Sequence, residues 1–185
     1  MIKLHLGCGK RFIPGFVHID LADYPHVDYK QSIDDLSRFS DNSIDLIYCS
    51  HALQYFDRQD ALKVLKEWYR ALKDGGILRL AIPDFEAIIK VYQKYKDIEH
   101  RGILGPLYGR MVINTTGGGK VIYHKTAYDF KSLKKMLESV GFKHVRRYDW
   151  RKTIHKDYDD YSQSYIPHMD KEHGFLISLN AEATK

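Results

Sequence analysis

The residues best suited to chemistry open the chain. Leu4-His5-Leu6 runs into Gly7-Cys8-Gly9, and a second apolar run, Phe16-Val17-His18-Ile19, closes on Asp20. A strand feeding a Gly-x-Gly turn, with an acidic residue ending the next strand, is how open α/β sheets hold the adenosine part of a cofactor. The glycines let backbone approach the ligand closely, and the carboxylate takes the ribose hydroxyls. A dinucleotide site needs a third glycine three positions on, over the pyrophosphate, and that position holds Phe12. The pattern therefore points to a cofactor with a ribose and no phosphate, S-adenosylmethionine. Histidines form the second set of candidates: His51 in Ser50-His51 and His124 in Val121-Ile122-Tyr123-His124-Lys125. Imidazole is the side chain whose ordinary pKa suits a general base near neutral pH. His155, His168 and His173 have aspartates nearby but match no tight ligand spacing such as His-Glu-x-x-His, so no metal is expected.

Those residues need strands and helices to position them. Short β-rich apolar runs at 3–6, 17–20, 45–49, 77–82, 143–150 and 175–183 alternate with helical patterns. The strongest helical pattern spans 58–73, with Asp57 at the N-cap, an apolar stripe of Leu62, Leu65, Trp68, Tyr69 and Leu72, and Asp74-Gly75-Gly76 as the stop. A second helix starts near Asp84 and carries Ile88, Ile89, Val91 and Tyr92; a third spans 129–140 and ends at Gly141. No helical pattern separates the last two strands, so a hairpin through 151–174 gives the sheet an antiparallel end. Only ten residues lie between Gly9 and Asp20, too few for a crossover helix with its connections. The fold class is thus α/β: a Rossmann-like, mostly parallel sheet with helices on both faces, an antiparallel last strand, and a first helix reduced to a turn at 11–15 or missing. One face would then stand partly bare, and a homodimer or a partner protein is the natural cover.

At 185 residues, 44% hydrophobic and 13% aromatic, the chain suits a single domain, 1–185, with its own core. No apolar run approaches the roughly 20 residues of a membrane span. The chain opens directly into a strand pattern without a signal-peptide profile, and its two cysteines, Cys8 and Cys49, outline no disulfide framework; together these point to the cytoplasm. The net charge of +5 is unevenly spread: the first hundred residues carry 14 Lys/Arg against 15 Asp/Glu, the remainder 15 against 9. That surplus either attracts an anionic substrate or forms a solvated helix face, and charge alone does not choose. Segments 102–125, with Tyr108, Arg110, Asn114 and Gly117-Gly118-Gly119, and 151–174 read as loops bordering an active site. Arg110, Lys120 and Lys125 would suit an anionic sugar or a diphosphate, or stand on a flexible exposed loop.

Further motifs follow in order: Asp41-Asn42-Ser43-Ile44-Asp45-Leu46-Ile47-Tyr48 leads into the fourth strand, Ser50-His51-Ala52-Leu53-Gln54-Tyr55 follows it, and Leu72-Lys73-Asp74-Gly75-Gly76-Ile77-Leu78 enters the fifth. With the glycine turn and Asp20, these make the chain resemble the class I S-adenosylmethionine-dependent methyltransferases over nearly its whole length. Pro14-Gly15-Phe16 soon after the turn, and the closing Ser178-Leu179-Asn180-Ala181-Glu182-Ala183, are similar to a subgroup of small methyltransferases associated with surface-polysaccharide biosynthesis. The resemblance implies Gly7, Cys8 and Gly9 as the cofactor cradle, Asp20 as ribose anchor, Leu21 against the adenine and Ser32 or Ile33 at its edge. Aligned backwards from Asp41, the adenine-side acidic position falls on Ser32, or on Asp34 with the loop shifted. Lys10 would lie near the cofactor carboxylate, Ser50 and His51 would line the site, and His124 falls where the family builds its acceptor pocket. His5, alternating within the first strand, is read as structural.

The reaction implied is in-line attack on the sulfonium methyl by a hydroxyl of a small-molecule or carbohydrate acceptor (a sugar, nucleotide-sugar or glycan), with His124 or His51 as general base. Two other classes stay open: an RNA or tRNA methyltransferase, and a non-catalytic adenosine-binding scaffold. RNA recognition usually adds a binding domain or a basic, aromatic-rich face, and the length leaves no room for a separate domain, so a nucleic-acid partner is not expected. A scaffold would have no need of the glycine turn and Asp20.

Overall fold

A computed structural model describes residues 1–99, 102–115 and 118–185; Gly117 of the glycine run lies outside the described residues. In chain order its elements are β1 (Lys3–Leu6), β2 (Val17–Asp20), β3 (Tyr29–Lys30), β4 (Ile44–Ser50), α1 (Arg58–Ala71), β5 (Leu72–Pro83), α2 (Phe85–Tyr95), α3 (Leu104–Tyr108), β6 (Met111–Thr115), β7 (Gly118–Ile122), α4 (Phe130–Val140), β8 (Lys143–Arg147), β9 (Tyr165–Ile166), β10 (Phe175–Leu176) and β11 (Ser178–Thr184). The main sheet runs β3-β2-β1-β4-β5-β11-β8, with β11 antiparallel to β5 and β8. Leu4 of β1 pairs with Val17 on one side and Ile47 on the other. Strand order reverses there, and open sheets bind ligands in the crevice beyond the carboxyl ends of such strands.

No helix lies between β1 and β2. The helix expected over 58–73 ends at Ala71, because Leu72 is already extended and begins a strand that reaches back to pair with Ile44. The strand expected over 143–150 stops at Arg147, where Asp149 caps a 3-10 turn at Trp150–Lys152. The 175–183 run is two strands, one pairing with β9 and one in the main sheet. Segment 102–125, expected as a loop, contains α3 and the β6–β7 hairpin; its alternation is masked by glycines and by strands whose described residues are mostly exposed.

One face of the sheet carries Leu4, Leu6, Ile47 and Leu80 beneath Leu65 and Trp68 of α1 and Leu133 and Leu137 of α4. Both helices start on side-chain caps: Asp57 accepts from the Gln59 and Asp60 N–H groups, and Asp129 and Ser132 form a capping box. On the opposite face, Leu46 and Tyr48 pack with Ile13 and Phe16. The helical cover expected here is replaced by the 11–16 turn and the 149–163 segment. His155 stacks on Tyr48 with ring centres 4.0 Å apart, and the Tyr48 hydroxyl donates to Asp160. The face expected to stand partly bare is therefore covered by the chain itself. No helix among the described residues is long and apolar enough to cross a membrane.

This polar, aromatic packing has a pH consequence. Burial, with neighbouring histidines adding for His5 and the Arg79 charge for His155, pushes both imidazoles down to about 3, so both are neutral in the fold. Unfolded histidines titrate near 6.5, so their contribution is complete above that pH and is lost as pH falls towards 3, because the unfolded chain binds protons the fold refuses. Unfolding free energies from urea titrations between pH 7.5 and 5 should fall by about 1.4 kcal/mol per pH unit below 6.5 for each of these two residues. His155→Phe should flatten that slope, and an unchanged slope would mean that other groups dominate.

Candidate active site

The glycine turn is built by conformation and space. Gly7 has φ +66°, its N–H donates to the Ile19 carbonyl at 2.8 Å, and a Cβ there would stand 2.5 Å from that of Ala52. Gly9 has φ +53°, but a Cβ would meet nothing within 4 Å, so its backbone borders open space where a ligand could approach. Asp20 ties the turn down: Oδ2 accepts from the Gly9 N–H at 2.8 Å and Oδ1 from the Ala22 N–H at 2.7 Å. Each oxygen keeps a second lone pair. Cys8 is buried and its thiol is pushed up to about 12, first by burial and then by the Asp20 charge, so it is a neutral buried thiol and no nucleophile. Ser50, at the carboxyl end of β4, is buried with its Oγ unpartnered among the described residues. A cradle open at Gly9, a carboxylate with spare lone pairs and an unsatisfied hydroxyl fit an adenosyl group.

The other predicted cofactor residues are more scattered. Lys10 is exposed, Leu21 is half exposed beside Asp20, and Ser32 is part-buried. Ile33 is in the core, where its carbonyl accepts from the Trp68 indole N–H at 2.7 Å.

The structure brings His51 and His124 together in one cleft of about 380 Å³, whose walls include Arg11, Gln54, Arg110 and Tyr161. The two imidazoles differ in polarity. His124 Nδ1 lies 3.0 Å from the Pro106 carbonyl, which can only accept, so Nδ1 carries the proton and Nε2 the lone pair. Nε2 takes an N–H from the Gln54 amide at 3.2 Å. Tyr55 meets the ring edge-on, and at Gly109 a Cβ would fall 1.9 Å from His124 Nε2, so only glycine leaves the imidazole its place. Burial holds His124 below its usual range, offset by the Pro106 and Leu107 carbonyls.

His51 has φ +53°, a conformation few non-glycine residues adopt. Its Nε2 lies 3.1 Å from the Ser178 hydroxyl. The Asn180 amide nitrogen is committed to the Ser162 carbonyl, so its Oδ1 faces Ser178 and takes that hydroxyl's proton at 2.9 Å. His51 Nε2 must therefore donate. Burial, reinforced by nearby His124, pushes this ring down to about 3. One imidazole is a held donor and the other a held acceptor. Gln54 and Ser178 belong to motifs visible in the sequence, but nothing in their spacing shows that they bond histidines 70 and 127 residues away.

Of the remaining candidates, Arg110 and His168 line this cleft and the others do not. Lys120 and Lys125 are not part of the cleft wall, whereas Arg110 is. His155 is buried on Tyr48, and His173 pairs with Asp170.

Residues 13–80 match the family model described as a methyltransferase domain. No curated protein matches the sequence. Among solved structures the chain is similar to a SAM-dependent methyltransferase from Archaeoglobus fulgidus, at 15% identity and TM-score 0.57, covering 99% of this chain and 85% of that one. It is also similar to a SAM-dependent methyltransferase from Methanosarcina mazei, at 18% identity and TM-score 0.54, covering 98% and 89%. A third likeness is to the Burkholderia thailandensis 1,6-didemethyltoxoflavin-N1-methyltransferase, whose structure holds S-adenosylhomocysteine, at 12% identity and TM-score 0.56, covering 100% and 70%. The family match covers residues 13–80, and these solved structures share the fold of this chain.

The two glycines should respond differently to substitution. A left-handed alanine costs about 1–2 kcal/mol, so Gly9→Ala should fold with a modest loss in melting temperature. Gly7→Ala adds the Ala52 clash and should lose distinctly more. Thermal melts of the two variants beside wild type check this, and equal losses would show that Ala52 moves aside freely.

Proposed function

We propose that the protein transfers the methyl group of S-adenosylmethionine to a hydroxyl of a small carbohydrate acceptor, and that His124 receives the proton. What carries the reading is one opening shared by two functions: the cleft holding His124 is walled by Arg11, two residues past Gly9 of the turn. Gly7, Gly9 and Asp20 would hold the adenosyl part, with each Asp20 oxygen taking one ribose hydroxyl on its spare lone pair. Bound there, the cofactor supplies a methyl electrophile that needs no activation by the protein.

The chain's own work is to orient and to accept a proton. Holding the acceptor hydroxyl in a near-attack geometry removes several kcal/mol of barrier. Its O–H takes the place of the Gln54 amide at His124 Nε2, and the Pro106 carbonyl stabilises the imidazolium that forms. The lowered pKa keeps His124 neutral, and so able to accept, at physiological pH. His51 serves as a neutral wall, its N–H spent on Ser178. Ser178 and Asn180, which hold it, sit in the closing motif similar to the polysaccharide-associated subgroup. We therefore assign the enzyme a place in surface-polysaccharide biosynthesis, and two buried free thiols suit the reducing cytoplasm.

Calorimetry with S-adenosylhomocysteine tests the donor site. Wild type should bind, and Asp20→Asn should bind at least about tenfold more weakly, since a hydrogen bond to a charged group is worth about 1.5–3 kcal/mol. Absence of binding to wild type would sink the enzyme reading. With labelled cofactor and a panel of sugars and nucleotide-sugars, His124→Ala should keep S-adenosylhomocysteine binding and lose about 100-fold or more in transfer. Undiminished transfer would remove His124 from the proton path.

A further inference from the structure

An arginine presents five donors in a planar fork that matches carboxylates, carbonyls, aromatic faces and phosphates. In this chain Arg70 holds Asp41 and Glu67, Arg79 and Arg146 share Glu182, and Arg147 holds Asp84 and Glu86. Arg58 bonds Thr126 and Ala127, Arg151 bonds the Tyr165 hydroxyl, and Arg38 lies over the Tyr29 ring. Among the described residues, Arg11 and Arg110 are the two arginines with no ion pair, side-chain hydrogen bond or ring partner. They come from distant parts of the chain, one just after the glycine turn and one just after α3, yet both wall the cleft that holds His124.

We propose that Arg11 and Arg110 clasp a phosphate group carried by the acceptor, so that the substrate is a phosphorylated carbohydrate, a sugar phosphate or a nucleotide-diphosphate sugar. The inference rests on the methyl-transfer reading for what happens to the hydroxyl, but the clasp is argued from the cleft alone. Two forks reaching one cavity supply more donors than a single carboxylate can accept, whereas the oxygens of a phosphate or diphosphate can take them in bidentate pairs. The cleft's two carboxylates leave the balance positive. Asp160 is buried and engaged by the Tyr48 hydroxyl and the Ser162 N–H, so only the exposed Asp159 opposes the two guanidinium groups. An anchored phosphate would fix one end of the acceptor and leave a hydroxyl free to reach His124.

The test is calorimetry on the full chain at physiological salt with four probes: glucose 1-phosphate, UDP-glucose, glucuronate and glucose. The two phosphate-bearing probes should bind, glucose should not, and glucuronate should trail both. Arg110→Gln and Arg11→Gln should each weaken phosphate binding about tenfold or more, and Arg110→Lys, which keeps the charge without the fork, should fall between. Both side chains are exposed and unpartnered, so melting curves should match wild type. Equal affinity for glucose and glucose 1-phosphate, no binding of either phosphate probe, or undiminished binding by both Gln variants would overturn the clasp. A short RNA that binds and is lost in these variants, while the phosphorylated sugars fail, would overturn it in favour of nucleic acid. Titration with S-adenosylhomocysteine in the same preparations reads the methyl-donor site separately. Phosphate binding without it leaves the clasp standing and removes methyl transfer; the converse removes only the clasp.

Discussion

A turn without a helix must still satisfy its backbone, and the rest of this site depends on how the chain does so. Between Gly9 and Asp20 there is no room for the element that would ordinarily fix the glycine loop, so β2 supplies the fixings itself. The Ile19 carbonyl takes the Gly7 N–H, Asp20 takes those of Gly9 and Ala22, and the His18 Nε2 takes that of Ile13. Phe12 then stacks on His18 with ring centres 5.0 Å apart, capping the bonded turn. Asp20 thus fastens the turn and is also the ribose anchor proposed above. The bonds that hold the loop leave a second lone pair on each Asp20 oxygen.

The same economy shapes the sheet face left without helices. Helices would have buried an aliphatic layer; here the layer is His5, Tyr48, Tyr148 and His155, closed by a buried Asp160. Polar side chains in such a layer require particular partners, so the 149–163 segment is fixed in place more specifically than an oily contact would fix it. That segment leads into Tyr161 at the cleft, and its Ser162 carbonyl anchors the Asn180–Ser178–His51 chain. The wall of the cleft and the cover of the bare face are one piece of chain, so the missing helices are what place this polar segment at the site.

Much of this was legible in the sequence. Strands β1 and β2, the core of β4, the caps of α1 and α4 and the antiparallel end follow from period, capping residues and glycine stops, all of which are local signals. The glycine turn and Asp20 were legible for the same reason, since a carboxylate at a strand end and a turn needing positive φ are written within about fifteen residues. The β6–β7 hairpin was hidden because glycine supplies no side chain to alternate and the faces of both strands are largely solvated. The insertion of β11 between β5 and β8, and the pairing of Gln54 with His124, join residues far apart in sequence by geometry that periodicity does not carry. Arg110 was visible as a basic residue on a loop. That Arg11 shares its cleft, and that Lys120 and Lys125 do not, required the fold.

Two imidazoles in one cleft would be redundant if they were alike, and their bonds make them unlike. A neutral histidine has one proton and one lone pair, and which nitrogen holds which is decided by the fixed groups around it. At His124 a backbone carbonyl claims the proton and a replaceable side-chain amide faces the lone pair, so a substrate hydroxyl can take the amide's place without disturbing the ring. At His51 the order is reversed: a chain of two side chains, both anchored in the core, claims the proton of Nε2, and replacing any link would strand a buried polar atom. The strained backbone at His51 points the same way, because a left-handed residue is tolerated where its surroundings over-determine it. A ring so held is suited to shaping a cavity, and a ring whose acceptor nitrogen faces a side-chain amide is suited to taking a proton within it.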